Sequence, residues 1–298
     1  SEGTSGKVTI TVTADDQTGN PIATLSFDVI VADIESSLIA HYKYADGVDH
    51  SGLENDGINN SVGYSEDRFG NAGGAMEFNG ANSYLKLPNS LLTKDEITLS
   101  LWFKTTSNGA LVGYQNTAVG TYPNNWAPIA YVATTNDLKA SFWQGTTNNI
   151  SNASANDGEW HHMVLTGTSG QQQLYVDNVL VGTDGDYINQ TNQVFNQLGT
   201  GFTGGTWQGG NGSYFYFGGS MDDVRVYERV LSEQQIGALY NESAPELPEL
   251  DAEIADQSID EDAEPFTLIA DLNEYFSNSN DEALNFEIAD SFDSALVF

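Results

Sequence analysis

Short runs of alternating apolar and polar residues dominate this chain. Residues 7–13 alternate apolar and hydroxyl or basic side chains, and residues 25–31 repeat the alternation. A period of two is the signature of a strand with one buried face. The segment between the two runs, residues 14–21, is rich in Asp, Asn, Gly and Pro, so the pattern predicts an N-terminal hairpin.

One helix and one tight hairpin stand out from the strand-rich middle of the chain. Ser232 followed by Gln235 is a capping-box pattern, which predicts a helix that ends near Tyr240. Asp177 and Asn178 lie between two apolar runs and predict a two-residue turn, because both tolerate positive φ. The pattern as a whole predicts an all-β antiparallel fold with one short helix.

Composition narrows the classes of partner. The 298 residues carry nine basic and 42 acidic side chains, for a formal net charge of −33, which repels nucleic acid and anionic membranes. Two interpretations of this acidity stay open: the acidic residues keep a secreted protein soluble at high salt, or they bind Ca²⁺. The chain has no cysteine, hence no disulfide framework and no thiolate metal site. We find no signal peptide at Ser1 and no apolar run of about 20 residues, and we expect a piece of a longer secreted polypeptide without direct membrane insertion.

Six phrases, taken in order, carry a family resemblance. Two Asp- and Gly-rich blocks, residues 44–57 and 219–227, bracket four others at 73–80, 97–103, 159–164 and 174–178. In this order and spacing they resemble the laminin-G-like jelly roll of the concanavalin A-like lectin superfamily, over roughly residues 36 to 242. The resemblance implies a two-sheet antiparallel jelly-roll sandwich that usually holds Ca²⁺ and usually binds glycans or proteins without cutting them.

The flanks resemble a second family. The N-terminal hairpin is similar to the last strands, and the acidic tail with its apolar runs at 266–269 and 284–288 to the first strands, of the cadherin-like or immunoglobulin-like repeats of large bacterial RTX-type adhesins. We therefore predict three segments: 1–35 and 245–298 as the two parts of a small split β-sandwich, and 36–244 as the lectin domain. Pairing of the flanks across chains is the alternative.

Clustered oxygen ligands in the two bracketing blocks predict a Ca²⁺ site. Calcium takes six to eight oxygens and favours carboxylates mixed with carbonyls. By resemblance, the site lies where the first strand of the domain meets the penultimate strand. The alternative is that these acids only form turns with neighbouring glycines. The predicted ligands are Asp46, Asp49, Asn55, Asp56, Asp222 and Asp223.

Aromatic loops predict a glycan-binding surface. Sugar recognition needs flat rings for the apolar sugar faces, and amides or carboxylates for the hydroxyls. Trp126 and Trp207 have an alternative role as loop anchors. Asp184 and Asp186, with Asn124 or Asn148, are candidates for a second Ca²⁺ site that coordinates sugar hydroxyls. The predicted ligand-binding residues are Tyr114, Asn116, Asn124, Trp126, Trp143, Asn148, Asp184, Asp186, Trp207 and Asn211.

Catalytic patterns have little support. Glycosidases of related folds place paired carboxylates along one strand, and no Glu-x-Asp-x-x-Glu phrase occurs. His161 and His162 are adjacent on a predicted strand, so they point to opposite faces and cannot serve one site. We predict no enzyme activity and no catalytic residues.

These observations predict a calcium-dependent carbohydrate-binding module of a bacterial surface adhesin. It would be an extracellular, monomeric module within a larger chain, and would attach cells to polysaccharide on other cells, in biofilm or on other surfaces. Three alternatives stay open: a protein- or peptide-binding module of the same fold, a structural spacer and a glycan hydrolase.

Overall fold

The alternating apolar and polar residues form many short strands. The computed structural model describes residues 6–14, 23–31, 34–143, 149–152, 155–185, 188, 190, 192–204, 207–243, 249–250 and 276–277. The strands are β1 Gly6–Ala14, β2 Ala23–Val31, β3 Leu38–Tyr42, β4 Ile58–Asn60, β5 Gly63–Ser65, β6 Ala75–Asn79, β7 Tyr84–Lys86, β8 Ile97–Lys104, β9 Gly109–Gln115, β10 Trp126–Val132, β11 Leu138–Ala140, β12 Ile150–Asn152, β13 Trp160–Gly167, β14 Gln172–Val176, β15 Val179–Asp184, β16 Phe195–Leu198, β17 Thr200–Phe202, β18 Tyr214–Tyr216, β19 Gly218–Tyr227, β20 Glu249–Leu250 and β21 Phe276–Ser277. A 3-10 turn occupies Glu35–Ser37, and helix α1 spans Glu233–Tyr240.

Two large sheets contain most of these strands. The nine-stranded sheet has the order β12-β11-β10-β9-β16-β7-β4, with β17 and β18 beside this path. The eight-stranded sheet has the order β15-β14-β13-β8-β19-β6-β5, with β3 paired to β19. The pairings within the paths are antiparallel, whereas β18 meets β9 in a parallel bridge. This confirms the predicted two-sheet antiparallel sandwich with one short helix.

The hydrophobic core lies between the inner faces of the two sheets. On β8, Leu99, Leu101 and Phe103 point inward and have no exposed surface, whereas the side chains between them point to the opposite face. On β9, Val112 and Tyr114 extend the same core from the other sheet.

Helix α1 covers the outer face of the eight-stranded sheet. Ser232 caps its N-terminus through its side chain, and the Gln235 side chain returns to the Ser232 backbone, which confirms the predicted capping box. The helix then packs apolar side chains onto the sheet. This second cluster contains Leu38, Val164, Tyr175, Tyr227, Leu231, Ile236 and Leu239.

The predicted tight hairpin joins β14 to β15. Asp177 and Asn178 have φ values of 49° and 62°, and Val176 pairs directly with Val179. Two consecutive residues with positive φ match the right-handed twist of the flanking strands. The departure from an Asn-Gly turn is therefore tolerated, because Asp and Asn both enter the left-handed region.

The flanking segments are described only in part. β1 and β2 form the predicted N-terminal hairpin, in which Ile10 pairs with Phe27. The chain divides into two compact units: Ser5–Glu242 forms one, and β20 pairs with β21 in the other. The tail strands predicted at 266–269 and 284–288 lie outside the described residues, so the split sandwich and its boundaries stay predictions.

In the part of the chain that the structure describes, no helix has the length and apolarity needed to cross a membrane.

Candidate ligand-binding site

The outer face of the nine-stranded sheet carries a row of large side chains. Trp126 of β10 pairs with Gln115 of β9, and Gln115 pairs with Phe195 of β16. Directly paired residues share a face, so this row points away from the core side, to which Tyr114 and Ala127 belong.

The β17–β18 hairpin packs onto the same face. A Cβ atom at Gly113 would lie 2.7 Å from the Cα atom of Gly201, so two backbones approach there as only glycine allows. This close approach brings Phe202 and Tyr214, which pair across the hairpin, over the β9–β10 edge of the row.

Five rings meet at this position and form an aromatic cluster of Tyr122, Trp126, Phe202, Tyr214 and Tyr216. The ring centroid of Phe202 lies 4.9 Å from that of Tyr122, 5.1 Å from that of Trp126 and 5.2 Å from that of Tyr214, all edge to face. Phe202 is 3 % exposed and Tyr122 is 71 % exposed. The cluster therefore has a buried centre and presents rings at the surface.

Buried carboxamides lie beside the aromatic cluster. Gln115, Gln193 and Gln197 are at most 1 % exposed. The Gln115 Nε2 atom donates to the Thr117 carbonyl at 2.8 Å and to the Tyr214 hydroxyl at 2.7 Å, and Gln193 Nε2 donates to Asn125 Oδ1 at 2.6 Å. We call these three side chains the amide row.

Several polar atoms of this region lack hydrogen-bond partners among the described residues. They comprise acceptors and donors: Gln115 Oε1, Gln193 Oε1, Gln197 Nε2, Trp126 Nε1 and Thr200 Oγ1. A buried polar group without a partner costs about 1–3 kcal/mol. These atoms are buried, so a ligand bound at the surface does not contact them in this conformation.

The segments that build the aromatic cluster contain no charged residue. No Asp, Glu, Lys or Arg occurs between residues 105 and 136, or between 187 and 221, in a chain whose net charge is −33. Burial raises the pKa of Tyr214 and of Tyr216, so both phenols are neutral at physiological pH. The aromatic cluster and the amide row therefore carry no charge of their own. Elsewhere on the strands of the same sheet, Lys86 pairs with Gln197, and Lys139 pairs with Tyr131 and lies 2.9 Å from Asp137.

Three predicted ligand-binding asparagines shape the loops around the aromatic cluster. The Asn116 Oδ1 atom accepts from the backbone N–H groups of Asn124 and Asn125, both at 3.1 Å, and so fixes the turn that leads into Trp126. Asn211 accepts from the Ser213 N–H and donates to the Tyr214 carbonyl, both at 3.0 Å. Asn124 and Asn211 are exposed, so both side chains can be reached from solvent.

Two other predicted ligand-binding aromatics lie in the core instead. Tyr114 has no exposed surface, because its position on β9 faces inward, and its hydroxyl accepts from the Trp143 N–H at 2.6 Å. Trp207 is 6 % exposed and lies 5.8 Å from Trp143, ring centroid to ring centroid. The half-buried Trp143 packs against the same core. These three rings anchor loops, and we do not include them in the binding face.

The remaining predicted ligand residues do not join the aromatic cluster. Asp184 ends β15 in the eight-stranded sheet, where it pairs with Gln172. Asn148 and Asp186 lie outside the described residues. The second Ca²⁺ site therefore stays a prediction.

Asp49, Asn55 and Asp56 organise the loop between β3 and β4 through hydrogen bonds. The Asp49 carboxylate accepts from the N–H groups of His41, Ser51 and Asn55 at 2.8–2.9 Å and from the Ser51 hydroxyl at 2.7 Å. Asp56 Oδ1 accepts from the Asp49 N–H at 2.8 Å. At the start of the loop, Asp46 accepts from the Val48 N–H.

Asp222 and Asp223 form a buried ionic network at the outer face of the eight-stranded sheet. A β-bulge in β19, with Asp223 at a φ of 47°, lets both neighbours face the same side. Arg68 donates to Asp222 at 2.8 Å and also binds Asp223. Arg225 binds Asp223 at 3.4 Å and Glu242 at 2.6 Å.

His41 joins the two predicted calcium blocks. Its backbone N–H donates to the Asp49 carboxylate, and its ring Nε2 atom lies 2.7 Å from Asp223 Oδ1. Burial lowers the pKa of His41 to about 4, and burial together with neighbouring Asp223 raises the pKa of Asp222 to about 6. Burial opposes ionisation of Asp223, but hydrogen bonding from His41 and the guanidiniums of Arg225 and Arg68 lower its pKa.

In this arrangement the six predicted calcium ligands form hydrogen bonds or ion pairs with protein groups. The two blocks converge, as the sequence predicts, but they converge on a histidine and two arginines, and the Asp49 oxygens already accept N–H groups. Within the described ranges, no group of three or more His, Cys, Asp or Glu side chains could hold a metal ion. The calcium site stays a prediction of the sequence.

Of the ligand-binding residues that the sequence predicts, Trp126, Asn116, Asn124 and Asn211 lie at or around the aromatic cluster, and the sequence did not predict the rest of this face. It did not select Phe202 or Gln115, which lie on strands that are buried on both sides, nor Tyr214, Gln193 and Gln197. The two charge-free stretches, read against the acidic remainder, are a signal that could have found them.

The fold is that of a jelly-roll β-sandwich domain with an aromatic outer face on one sheet. A family model described as the concanavalin A-like lectin/glucanases superfamily matches residues 79–237. The chain therefore belongs to this superfamily. No curated protein matches the chain.

Several solved structures are similar to this chain at low sequence identity. Domain 4 of AbnA, an extracellular arabinanase from Geobacillus stearothermophilus in complex with arabinotriose, is 18 % identical with a TM-score of 0.47, covering 69 % of this chain and 98 % of that domain. A mutant Trypanosoma rangeli sialidase that displays trans-sialidase activity is 14 % identical with a TM-score of 0.51, covering 71 % of this chain. That match spans 34 % of the length of the sialidase. The binding domain of Paraclostridial Mosquitocidal Protein 1 is 13 % identical with a TM-score of 0.45, covering 70 % of this chain and 52 % of that chain.

Proposed function

We propose that this domain binds carbohydrate through the outer face of its nine-stranded sheet. The observation that carries the proposal is the aromatic cluster, which presents the Tyr122 ring at the surface beside the exposed amides of Asn124 and Asn211. Rings such as those of Tyr122 and Trp126 pack against the apolar faces of sugars, and the exposed amides of Asn124 and Asn211 bind hydroxyl groups. Membership of a lectin-containing superfamily supports this assignment.

Binding without cleavage is part of the proposal. Glycoside hydrolysis uses a pair of carboxyl groups that flank the scissile bond. The charge-free stretches that carry the aromatic cluster contribute no Asp or Glu to this face. A reducing-sugar assay on bound polysaccharides should therefore stay flat, and product release would contradict this part.

A tyrosine pair tests the site. Tyr122 is 71 % exposed within the aromatic cluster, and Tyr64 is 57 % exposed on β5 of the other sheet. We expect Tyr122→Ala to weaken binding to the best ligand of a glycan array by about tenfold, the loss of one stacking contact of about 1.4 kcal/mol. Tyr64→Ala is the matched control and should bind like the wild type. Equal binding by both variants would remove the aromatic cluster as the site.

The biological setting is the adhesin that the sequence predicts. Attachment at a bacterial surface suits a weak, shallow site, because many copies multiply the strength of weak contacts. The proposal also includes that carbohydrate binding depends on calcium, and this part rests on the Asp-rich blocks of the sequence.

Thermal unfolding tests the calcium part. We expect EDTA to lower Tm, because a ligand that binds the folded state alone stabilises it. CaCl₂ should raise Tm more than NaCl at matched ionic strength, which removes simple screening as the cause. Identical curves in EDTA and in CaCl₂ would contradict calcium binding.

A further inference from the structure

We propose that the binding face takes an extended stretch of a linear polysaccharide, laid across the strands of the nine-stranded sheet, and not a single terminal sugar. This inference rests on the proposed carbohydrate-binding function and names the class of glycan that the same site takes. A row of rings that reach the surface along this face carries it.

Four tyrosines follow one another over the outer face, from the loop before β10 to β7. We call them the tyrosine row: Tyr122, Tyr214, Tyr216 and Tyr84. The ring centroids of Tyr214 and Tyr216 lie 6.3 Å apart, with 35° between the ring planes. Tyr122 is 71 % exposed and the other three are half-buried, so each ring presents part of its surface to solvent.

Phe202 connects the first two members of the row. Its ring centroid lies 4.9 Å from that of Tyr122 and 5.2 Å from that of Tyr214. Phe202 is 3 % exposed, so it supports the surface rings without forming the surface itself. The Tyr214 hydroxyl donates to the Thr121 carbonyl at 2.7 Å, which holds Tyr214 against the chain next to Tyr122. These rings are therefore fixed before a ligand arrives, which lowers the entropic cost of binding.

Tyr84 extends the row to β7. Leu85 faces the core and has no exposed surface, so its neighbours Tyr84 and Lys86 point to the outer face. Burial raises the pKa of Tyr214 and of Tyr216, and the nearby Tyr84 phenol contributes to the increase in both. The Tyr84 ring therefore lies on the same side of the sheet as the other two.

The row is longer than one sugar ring. Trp126 of β10 borders its start, 6.4 Å from Tyr122 between ring centroids. Tyr84 lies on β7, three strands from β10 in the sheet, which is roughly 14 Å at the usual strand spacing. A pyranose ring is similar in size to a phenol ring, so a monosaccharide covers one ring and leaves the others in water. An extended chain covers several rings at once.

Polar side chains are distributed along the row instead of meeting at one point. Asn124 is exposed in the loop before β10, and Asn211, also exposed, donates to the Tyr214 carbonyl. Lys86 points outward beside Tyr84. A site for one small ligand is a concave pocket with converging polar groups. Separated polar groups suit a chain, in which each sugar offers a few hydroxyls.

Calorimetry with a series of oligosaccharides tests this inference. The series is prepared from the polysaccharide that binds best in a glycan array, and runs from the monosaccharide to the hexasaccharide. We expect the affinity to rise at least about tenfold between the disaccharide and the tetrasaccharide, because the longer chain meets further rings. Full affinity with one or two sugar units would overturn the extended site.

A substitution at the far end of the row adds a second test. Tyr84→Ala should weaken hexasaccharide binding by about fivefold to tenfold, but should change disaccharide binding by less than about twofold, because the short ligand binds at the more exposed Tyr122. Tyr84→Phe keeps the ring and should bind both ligands like the wild type, as should the control Tyr64→Ala. Equal loss for both lengths in Tyr84→Ala would show an effect through the fold, and would overturn the role of Tyr84 in an extended site.

Failure of this inference differs from failure of the proposed function. Binding that is complete with one or two sugars, and is lost in Tyr122→Ala, would overturn the inference and leave carbohydrate binding in place. Absence of any bound glycan, or binding that is insensitive to Tyr122→Ala, would overturn both.

Discussion

Two tryptophans that sit in similar Gly- and Asn-rich loops have different roles in the structure. Trp126 borders the aromatic cluster, with its ring 5.1 Å from Phe202, whereas Trp207 is 6 % exposed and packs into the core. The difference arises from a long-range contact, because the turn after Trp207 folds back until Gly209 touches Ala133. Local sequence carries no trace of that contact.

Alanine substitutions should separate these roles. Trp207→Ala removes a buried ring and should lower the free energy of unfolding by about 3–5 kcal/mol in urea denaturation. Trp126→Ala, at a half-buried position, should lower it less and should weaken glycan binding instead. A Trp207→Ala variant that is fully stable but no longer binds would reverse the two assignments.

At the scale of the strand, the sequence pattern predicts that a strand forms better than it predicts to which face each side chain points. The alternation of β1 and β2, the capping box of α1 and the Asp177-Asn178 turn are all confirmed, since each depends on neighbours in the chain. β9 is different, because all seven of its residues are buried. The β17–β18 hairpin covers its outer face, so the sequence does not reveal that Tyr114 points inward and Gln115 outward.

The eight-stranded sheet has a buried titratable face that makes stability depend on pH. Burial lowers the pKa of His41 to about 4 and that of His162 to about 3, whereas it raises the pKa of Asp222 to about 6. The two histidines bind protons in the unfolded chain below about pH 6.5 but not in the folded protein. Folding therefore becomes more favourable as the pH rises from about 4 to 6.5. Asp222, whose folded form holds a proton more tightly, offsets part of this gain.

Denaturant titration across pH tests this expectation. The free energy of unfolding should rise between about pH 4 and 6.5, because two buried histidines outweigh one carboxyl group. His162→Gln can keep a hydrogen bond to Ser100, which lies 2.9 Å from His162 Nε2, and should flatten the rise. Asp222→Asn should steepen it by removing the offset. A flat profile in the wild type would contradict the buried, neutral state of the histidines.

Charge is distributed unevenly over the whole molecule. The 42 acidic residues avoid the stretches 105–136 and 187–221, which build the aromatic face. Self-repulsion of a net charge of −33 opposes the compact state, and salt screens it. Binding at an uncharged face involves little such repulsion. Stability and affinity therefore depend on different parts of the sequence.

Salt should separate the two properties in the intact protein. Raising NaCl from about 20 to 500 mM shortens the screening length from roughly 20 Å to 4 Å, and should raise Tm in calorimetry. The affinity for a neutral glycan should change by less than about twofold over the same range, because no charged residue belongs to the aromatic cluster. A steep loss of affinity with salt would mean that ion pairs hold the ligand, and the binding site would then lie among the acidic or basic residues outside the aromatic cluster.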